Sequence, residues 1–172
     1  MTPCIALVRH ALAADAEPGQ SDAERALTDE GRKRARKAAK GLCAVVAALP
    51  RIAHSPLPRA VESAAILAAA YTPSGTLVEL PALAPGGDPE AVFRWLRDHH
   101  DGHPWIALVG HEPDLGRWAA LALSGAAGDY LPLKKSGVCL LEMPGGLEPG
   151  GGRLVAHLPP RLLRDLASRR DD

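Results

Sequence analysis

The stretch "CIALVRHA" (residues 4–11) decides the fold. Cys4 to Val8 form a short apolar run with β-branched members, which reads as a buried central strand. Arg9 and His10 stand directly where that run ends. Burying a charged pair costs free energy unless it is partnered, so its place behind a rigid strand asks for a chemical reason. Two other stretches repeat the pattern. "RIAHS" (51–55) reads as a second strand running into His54, Ser55 and Pro56, with Arg59 one turn into the next helix. "WIALVG" (105–110) reads as a buried strand running into His111, Glu112 and Pro113.

Helices are expected between these strands. Thr28 suits an N-cap, with Asp29 and Glu30 in the first turn where the dipole favours carboxylates. The inward stripe would be Ala35, Ala38, Ala39, Leu42, Val45, Val46 and Leu49, before Pro50 ends the helix. "PLPRAVESAAILAAAY" (56–71) predicts a helix led by Pro56, and "PDLGRWAALALS" (113–124) one led by Pro113. "GTLVEL" (75–80) suits an edge strand, and a further helix is expected from about Pro89 to His99. "SGVCLLEM" (136–143) and "RLVAHLP" (153–159) flank "PGGLEPGGG", which predicts a hairpin with a flexible tip. From Arg161 the tail reads as a short charged helix or a frayed end (160–172). Strands alternating with helices imply an α/β three-layer sandwich, with a mostly parallel mixed central sheet flanked by helices. A chain of 172 residues suits a single domain, 1–172.

Composition narrows the partners. Lys plus Arg and Asp plus Glu number 20 each, which gives no bulk attraction to nucleic acid or membrane. Apolar residues make up 47%, much of it alanine, and six are aromatic, so Ala-rich helices packed closely on a small sheet are expected. Cys4, Cys43 and Cys139 are scattered, odd in number and without metal-ligand spacing, and read as buried free thiols. No run approaches the ~20 apolar residues needed to span a bilayer, and a protein of the reducing cytoplasm is expected. "RKRARKAAK" (32–40) reads as the solvated face of an amphipathic helix, or as a docking surface for an acidic protein. "HHDGH" (99–103) reads as a helix end and glycine turn rather than a metal site.

Ligands of open α/β sheets bind outside the carboxyl ends of the strands. If the three strands are parallel neighbours, two arginines and two histidines meet in one crevice, where two proline-led helices also begin. That collection suits a tetrahedral dianion. Arginine forks match pairs of phosphate oxygens, and a neutral imidazole can attack phosphorus.

"LVRHA", "HSPLPRAVESA" and "LVGHEPDL", in this order, resemble the signature of the histidine phosphatase superfamily, sometimes named after phosphoglycerate mutase. With "ALTDEGRKRA" and the short chain, the sequence is most similar to the SixA-type phosphohistidine phosphatases, from about residue 4 to 143. The resemblance implies that His10 is the nucleophile that takes the phosphoryl group. It implies that Arg9, Arg59 and His111 bind the phosphoryl oxygens, with Ser55 among the substrate-binding residues, and that neither metal nor cofactor is used. Water would then hydrolyse the phosphohistidine intermediate.

Two departures bear on the substrate. The family's usual glycine after its Arg-His pair is Ala11 here. Where phosphomonoester-cleaving members carry an acid to protonate the leaving alkoxide, this sequence aligns Ala82 in "LPALAPGGD". Imidazole leaves more easily than an alkoxide, because it departs neutral once protonated. Dephosphorylation of phosphohistidine on a signalling protein, such as a histidine phosphotransfer domain, is therefore expected. A phosphatase of small phosphorylated metabolites is the alternative, with Asp88 or Glu112 as the acid. A non-catalytic phosphate-binding module is a third reading, and the intact His10 and His111 argue against it.

Overall fold

A strand that is apolar at every position needs cover on both faces. Ile5, Ala6 and Leu7 have no exposed surface, and neither do Ala107, Leu108 and Val109. The computed structural model describes residues 2–103, 105–129 and 131–169. Its strands are β1 (Cys4–Arg9), β2 (Arg51–His54), β3 (Thr76–Glu79), β4 (Trp105–Gly110), β5 (Val138–Glu142) and β6 (Arg153–Leu158). Its helices are α1 (Asp29–Leu42), α2 (Pro58–Ala69), α3 (Pro89–His99), α4 (Asp114–Ser124) and α5 (Pro160–Ser168). The strands form one six-stranded sheet in the order β3-β2-β4-β1-β5-β6. β3, β2, β4 and β1 run parallel, whereas β5 is antiparallel to both β1 and β6. The expected three-layer architecture with a mixed, mostly parallel sheet is what the chain adopts.

Side-chain alternation divides the core between the two faces. Ile5, Leu7 and Leu108 meet Phe93, Leu96, Leu115 and Trp118 of α3 and α4. Ala6, Val8, Ala107 and Val109 meet Ala38 and Leu42 of α1, Ala60 and Ala64 of α2, and Leu163 of α5. The alanines bring the helices of the second face close to the sheet, so few aromatic residues are needed to fill the space.

Several boundaries differ from the sequence reading. Thr28 does cap α1, accepting from the Gly31 N–H at 2.9 Å. The helix stops at Leu42 rather than before Pro50, and Val45, expected inward, is 45% exposed. Continuing to Leu49 would carry the chain about 10 Å further out. Instead a turn, with Val46 N–H donating to the Leu42 carbonyl at 2.8 Å, folds Val46 and Leu49 back into the core ahead of β2. α2 begins at Pro58 and not Pro56, and Pro113 is the N-cap of α4 rather than its first residue. The hairpin tip is pinned, not free: Gly145 N–H donates to the Gly151 carbonyl, and Gly150 N–H to the Leu121 carbonyl of α4 at 3.0 Å. The tail is an ordered helix through Ser168, with Leu163 and Ala167 buried; the rest of the expected frayed end, from residue 170, lies outside the described residues. Its contact with α1 is close, since a Cβ at Gly41 would lie 1.8 Å from the Leu163 carbonyl oxygen. Among the described residues no helix is long and apolar enough to cross a membrane.

Candidate active site

Sheet register brings three strand ends level. Arg9 pairs with Gly110 across β1 and β4, and His54 with Val109 across β2 and β4. One residue on, His10 N–H donates to the Gly110 carbonyl and Ser55 N–H to the Val109 carbonyl, both at 3.0 Å. His10, Ser55 and His111 therefore leave the sheet side by side at its carboxyl edge.

His10 is only 7% exposed. Its Nδ1 lies 2.7 Å from the Ala11 carbonyl oxygen. That oxygen can only accept, so Nδ1 carries the hydrogen and Nε2 keeps its lone pair. Burial pushes the ring pKa down to about 3; the positive charges of Arg59 and Arg9 and the neighbouring His111 act the same way, while the Ala11 bond opposes them. His10 is thus a neutral imidazole at pH 7. The His111 ring lies 5.0 Å away, tilted by 51°. Burial and then Arg59 push its pKa down to about 4, with the Asp22 charge opposing. Its Nε2 is 2.8 Å from Ser55 Oγ, and its buried Nδ1 has no protein partner. Ser55 is itself fully buried, and its Oγ also accepts from the Leu57 N–H at 3.3 Å. The Ser55 hydroxyl is engaged with His111.

The two arginines approach from different elements. Arg9, at the end of β1, donates from Nη1 to the Leu133 carbonyl at 2.8 Å, and its buried Nε has no partner. Burial lowers its pKa, and the Glu112 carboxylate opposes that shift. Arg59 sits in the first turn of α2, where Nη1 and Nη2 donate to the main-chain oxygen and to Oδ2 of Asp22, at 2.6 and 2.9 Å. Ser63, one turn further, donates to the Arg59 carbonyl at 2.6 Å and accepts from the Ala11 N–H at 3.0 Å. It ties α2 to the residue after His10. Neither Asp22 nor Ser63 was singled out from the sequence. The Ser-x-x-Glu spacing of Ser21 and Glu24 marks an ordered turn around Asp22, and Ser63 carries no comparable signal.

The candidate acids lie elsewhere. Asp88 caps α3, accepting from the Glu90 N–H at 3.0 Å. Glu112 Oε1 accepts from the Leu133 N–H at 3.2 Å, and the Gly116 N–H also bonds this carboxylate; burial raises its pKa more than these contacts lower it. Ala82 lines a pocket of about 180 Å³ beside His111, walled by Leu83, Leu115, Trp118 and Leu121. His54 is buried, with Nδ1 donating to the Ser55 carbonyl at 3.0 Å. In "HHDGH", His99 Nδ1 bonds the Trp95 carbonyl at 2.8 Å, and no group of three or more potential metal ligands occurs among the described residues. Of the basic run, Arg32 pairs with Asp29 and Glu62, and Arg34 with Glu30. Cys4 and Cys139 are buried free thiols as expected, while Cys43 is only half-buried.

Residues 5–84 match the histidine phosphatase superfamily (branch 1). An uncharacterised protein of Picosynechococcus sp. (strain ATCC 27264 / PCC 7002 / PR-6) is 38% identical over 156 residues, which are 90% of each chain. Among solved structures, the protein histidine phosphatase SixA complexed with tungstate superposes with a TM-score of 0.78 at 24% identity, covering 93% of this chain and 99% of that one. A mycobacterial glucosyl-3-phosphoglycerate phosphatase superposes at 0.69 with 16% identity, covering 92% and 100%. These two share the fold. With the relative that matches across nine-tenths of both chains and the superfamily match over strands β1 to β3, the chain belongs to the histidine phosphatase superfamily, a membership that supports phosphatase activity.

Proposed function

We propose that the protein removes the phosphoryl group from phosphohistidine on a signalling protein, such as the histidine phosphotransfer domain of a cytoplasmic phosphorelay. His10 Nε2 attacks phosphorus, the P–N bond to the substrate imidazole breaks, and the departing ring takes its proton from solvent water. Water then attacks the phosphorus of phospho-His10, releasing phosphate and restoring the neutral ring. Arg9 through its unpaired Nε, Arg59 through its free N–H groups, and His111 bind the phosphoryl oxygens. Ser55 acts through His111, whose Nε2 it holds. Positioning and charge neutralisation supply most of the help in phosphoryl transfer, and here both come from the chain's own residues.

The reading is carried by the neutral His10 ring, its Nδ1 fixed on Ala11 and its Nε2 free, set between two arginines and a second neutral histidine. The choice of a P–N substrate is supported by the acid position. Ala82 has no proton to give, Asp88 is held as a helix cap, and the Glu112 carboxylate is bonded by backbone N–H groups. The chain from β3 to α3 is one short 3-10 turn (Pro81–Leu83) and a glycine loop, too short to form a lid of its own. A second reading, hydrolysis of a small phosphorylated metabolite, is favoured by the pocket beside His111, which has room for an apolar leaving group.

The test is the phosphatase rate, without added metal, on a phosphohistidine-bearing phosphotransfer protein beside a panel of phosphomonoesters, with His10→Ala as the blank. A preference for the phosphoprotein that the variant abolishes is expected. Faster turnover of a metabolite would establish the second reading, and no turnover of either class would overturn both.

A further inference from the structure

The segment 14–26 is polar and exposed, yet its one 3-10 turn (Asp22–Glu24) is firmly tied. Ser21 N–H donates to Glu24 Oε2 at 2.9 Å, Arg25 Nη1 to Asp22 Oδ1 at 2.6 Å, and Arg25 Nε to the Ala14 carbonyl at 2.5 Å. The turn carries Asp22 onto Arg59, with the main-chain oxygen on Nη1 and Oδ2 on Nη2. The Arg59 side chain is 5% exposed and the Asp22 side chain 66%, so the contact lies at the solvent rim of the fork. A guanidinium has five N–H donors. Asp22 takes two of them, and the other three, including Nε–H, have no acceptor among the described residues.

We propose that Asp22 is a positioning residue for phosphoryl binding: by gripping the terminal nitrogens of Arg59 it fixes the plane of the fork and leaves its Nε side for the phosphoryl oxygens. The inference rests on Arg59 being a phosphoryl ligand, and it adds the residue that aims it. An arginine free to rotate must lose that freedom when an anion binds, so holding it beforehand raises affinity. The main-chain oxygen matters as much as the carboxylate. A carbonyl on a turn closed by Ser21, Glu24 and Arg25 is not displaced by an entering anion, which makes the contact a clamp rather than a plug. Arg25, which bonds both Asp22 and Ala14, keeps that turn in place.

The experiment compares the full chain with Asp22→Ala and Asp22→Asn, by calorimetric titration with inorganic phosphate and by KM and kcat on the preferred substrate. Asp22→Ala is expected to weaken phosphate binding about tenfold and to raise KM by a similar factor with kcat little changed, the loss of one charge-assisted hydrogen bond. Asp22→Asn keeps an oxygen for Nη2 and is expected to recover most of the affinity. Tighter phosphate binding in Asp22→Ala would mean that the carboxylate competes with the anion, and would overturn the proposal. So would unchanged phosphate affinity in both variants accompanied only by a lower Tm, the mark of a purely structural loop contact. If the wild type binds phosphate with this order of variants but turns over no substrate, the clamp stands and the phosphatase reading falls.

Discussion

Two neutral histidines buried side by side make the fold sensitive to mild acid. In the unfolded chain each titrates near 6.5; in the folded protein burial holds His10 at about 3 and His111 at about 4. Both folded values lie below the unfolded one, so each group contributes stability that is complete above pH 6.5 and is lost as pH falls toward the folded value. At pH 5.5 the unfolded chain binds nearly one proton more at each ring, whereas the folded chain binds almost none. Integrating the linkage from pH 7.5 to 5.5 gives about 1.4 kcal/mol for each ring, and about 2.7 kcal/mol for the pair. Urea unfolding at a series of pH values reads this directly, provided the slope with denaturant is constant. Repeating it with His10→Gln, and separately with His111→Gln, isolates each share, because every other titrating group is common to all three proteins. Each variant is expected to lose about half of the extra pH dependence. A dependence that is the same in wild type and both variants would show that the rings are hydrated and protonate freely, and the neutral nucleophile would fall with it.

Three further perturbations probe the frame. Gly41→Ala places a Cβ 1.8 Å from the Leu163 carbonyl oxygen; separating α1 from α5 is expected to cost about 1–3 kcal/mol, with faster amide exchange over 160–168, and unchanged exchange would refute the close approach. Ser63→Ala strips the buried Ala11 N–H of its acceptor. A loss of about 1–3 kcal/mol in urea unfolding is expected, together with a lower rate because the residue after His10 is released. Arg59→Lys keeps the charge but not the fork; at least a tenfold drop in kcat/KM on the preferred substrate is expected, and full activity would show that charge alone suffices at that position.

Much of this was legible in the sequence because the central strands β1 and β4 are short, almost wholly apolar and followed at once by polar residues. "CIALV" and "WIALVG" state both their burial and their ends, and Thr28 announces a helix start through a side chain that holds a first-turn N–H. What failed was the far end of α1. Alanine, leucine and valine at helical spacing continue to Leu49, so periodicity alone cannot show that Val46 and Leu49 reach the core from a turn. The order of the tail was equally hidden. α5 is held by a backbone approach to Gly41, and a glycine inside a basic helix does not say which partner it makes room for.

The site divides along the same line. His10, Ser55 and His111 follow three ladder-paired strands, and the His10 and Ser55 N–H groups donate to the Gly110 and Val109 carbonyls of β4, the strand that leads into His111. Their relative positions are set by the sheet, so three short sequence patterns in order were enough to find them. Arg59 stands in the first turn of a helix, and its guanidinium takes its direction from an exposed aspartate on a loop with no apolar anchor of its own. Nothing in local sequence ties positions 22 and 59, which meet in the folded chain where Leu27 N–H donates to Glu62 of α2 and Arg59 donates to Asp22. Substitutions beneath the strand ends should therefore act mainly through global stability. Substitutions in the 21–25 turn should leave the fold nearly as stable and act on anion affinity, because an exposed turn contributes little to the core but fixes one half of the phosphoryl grip.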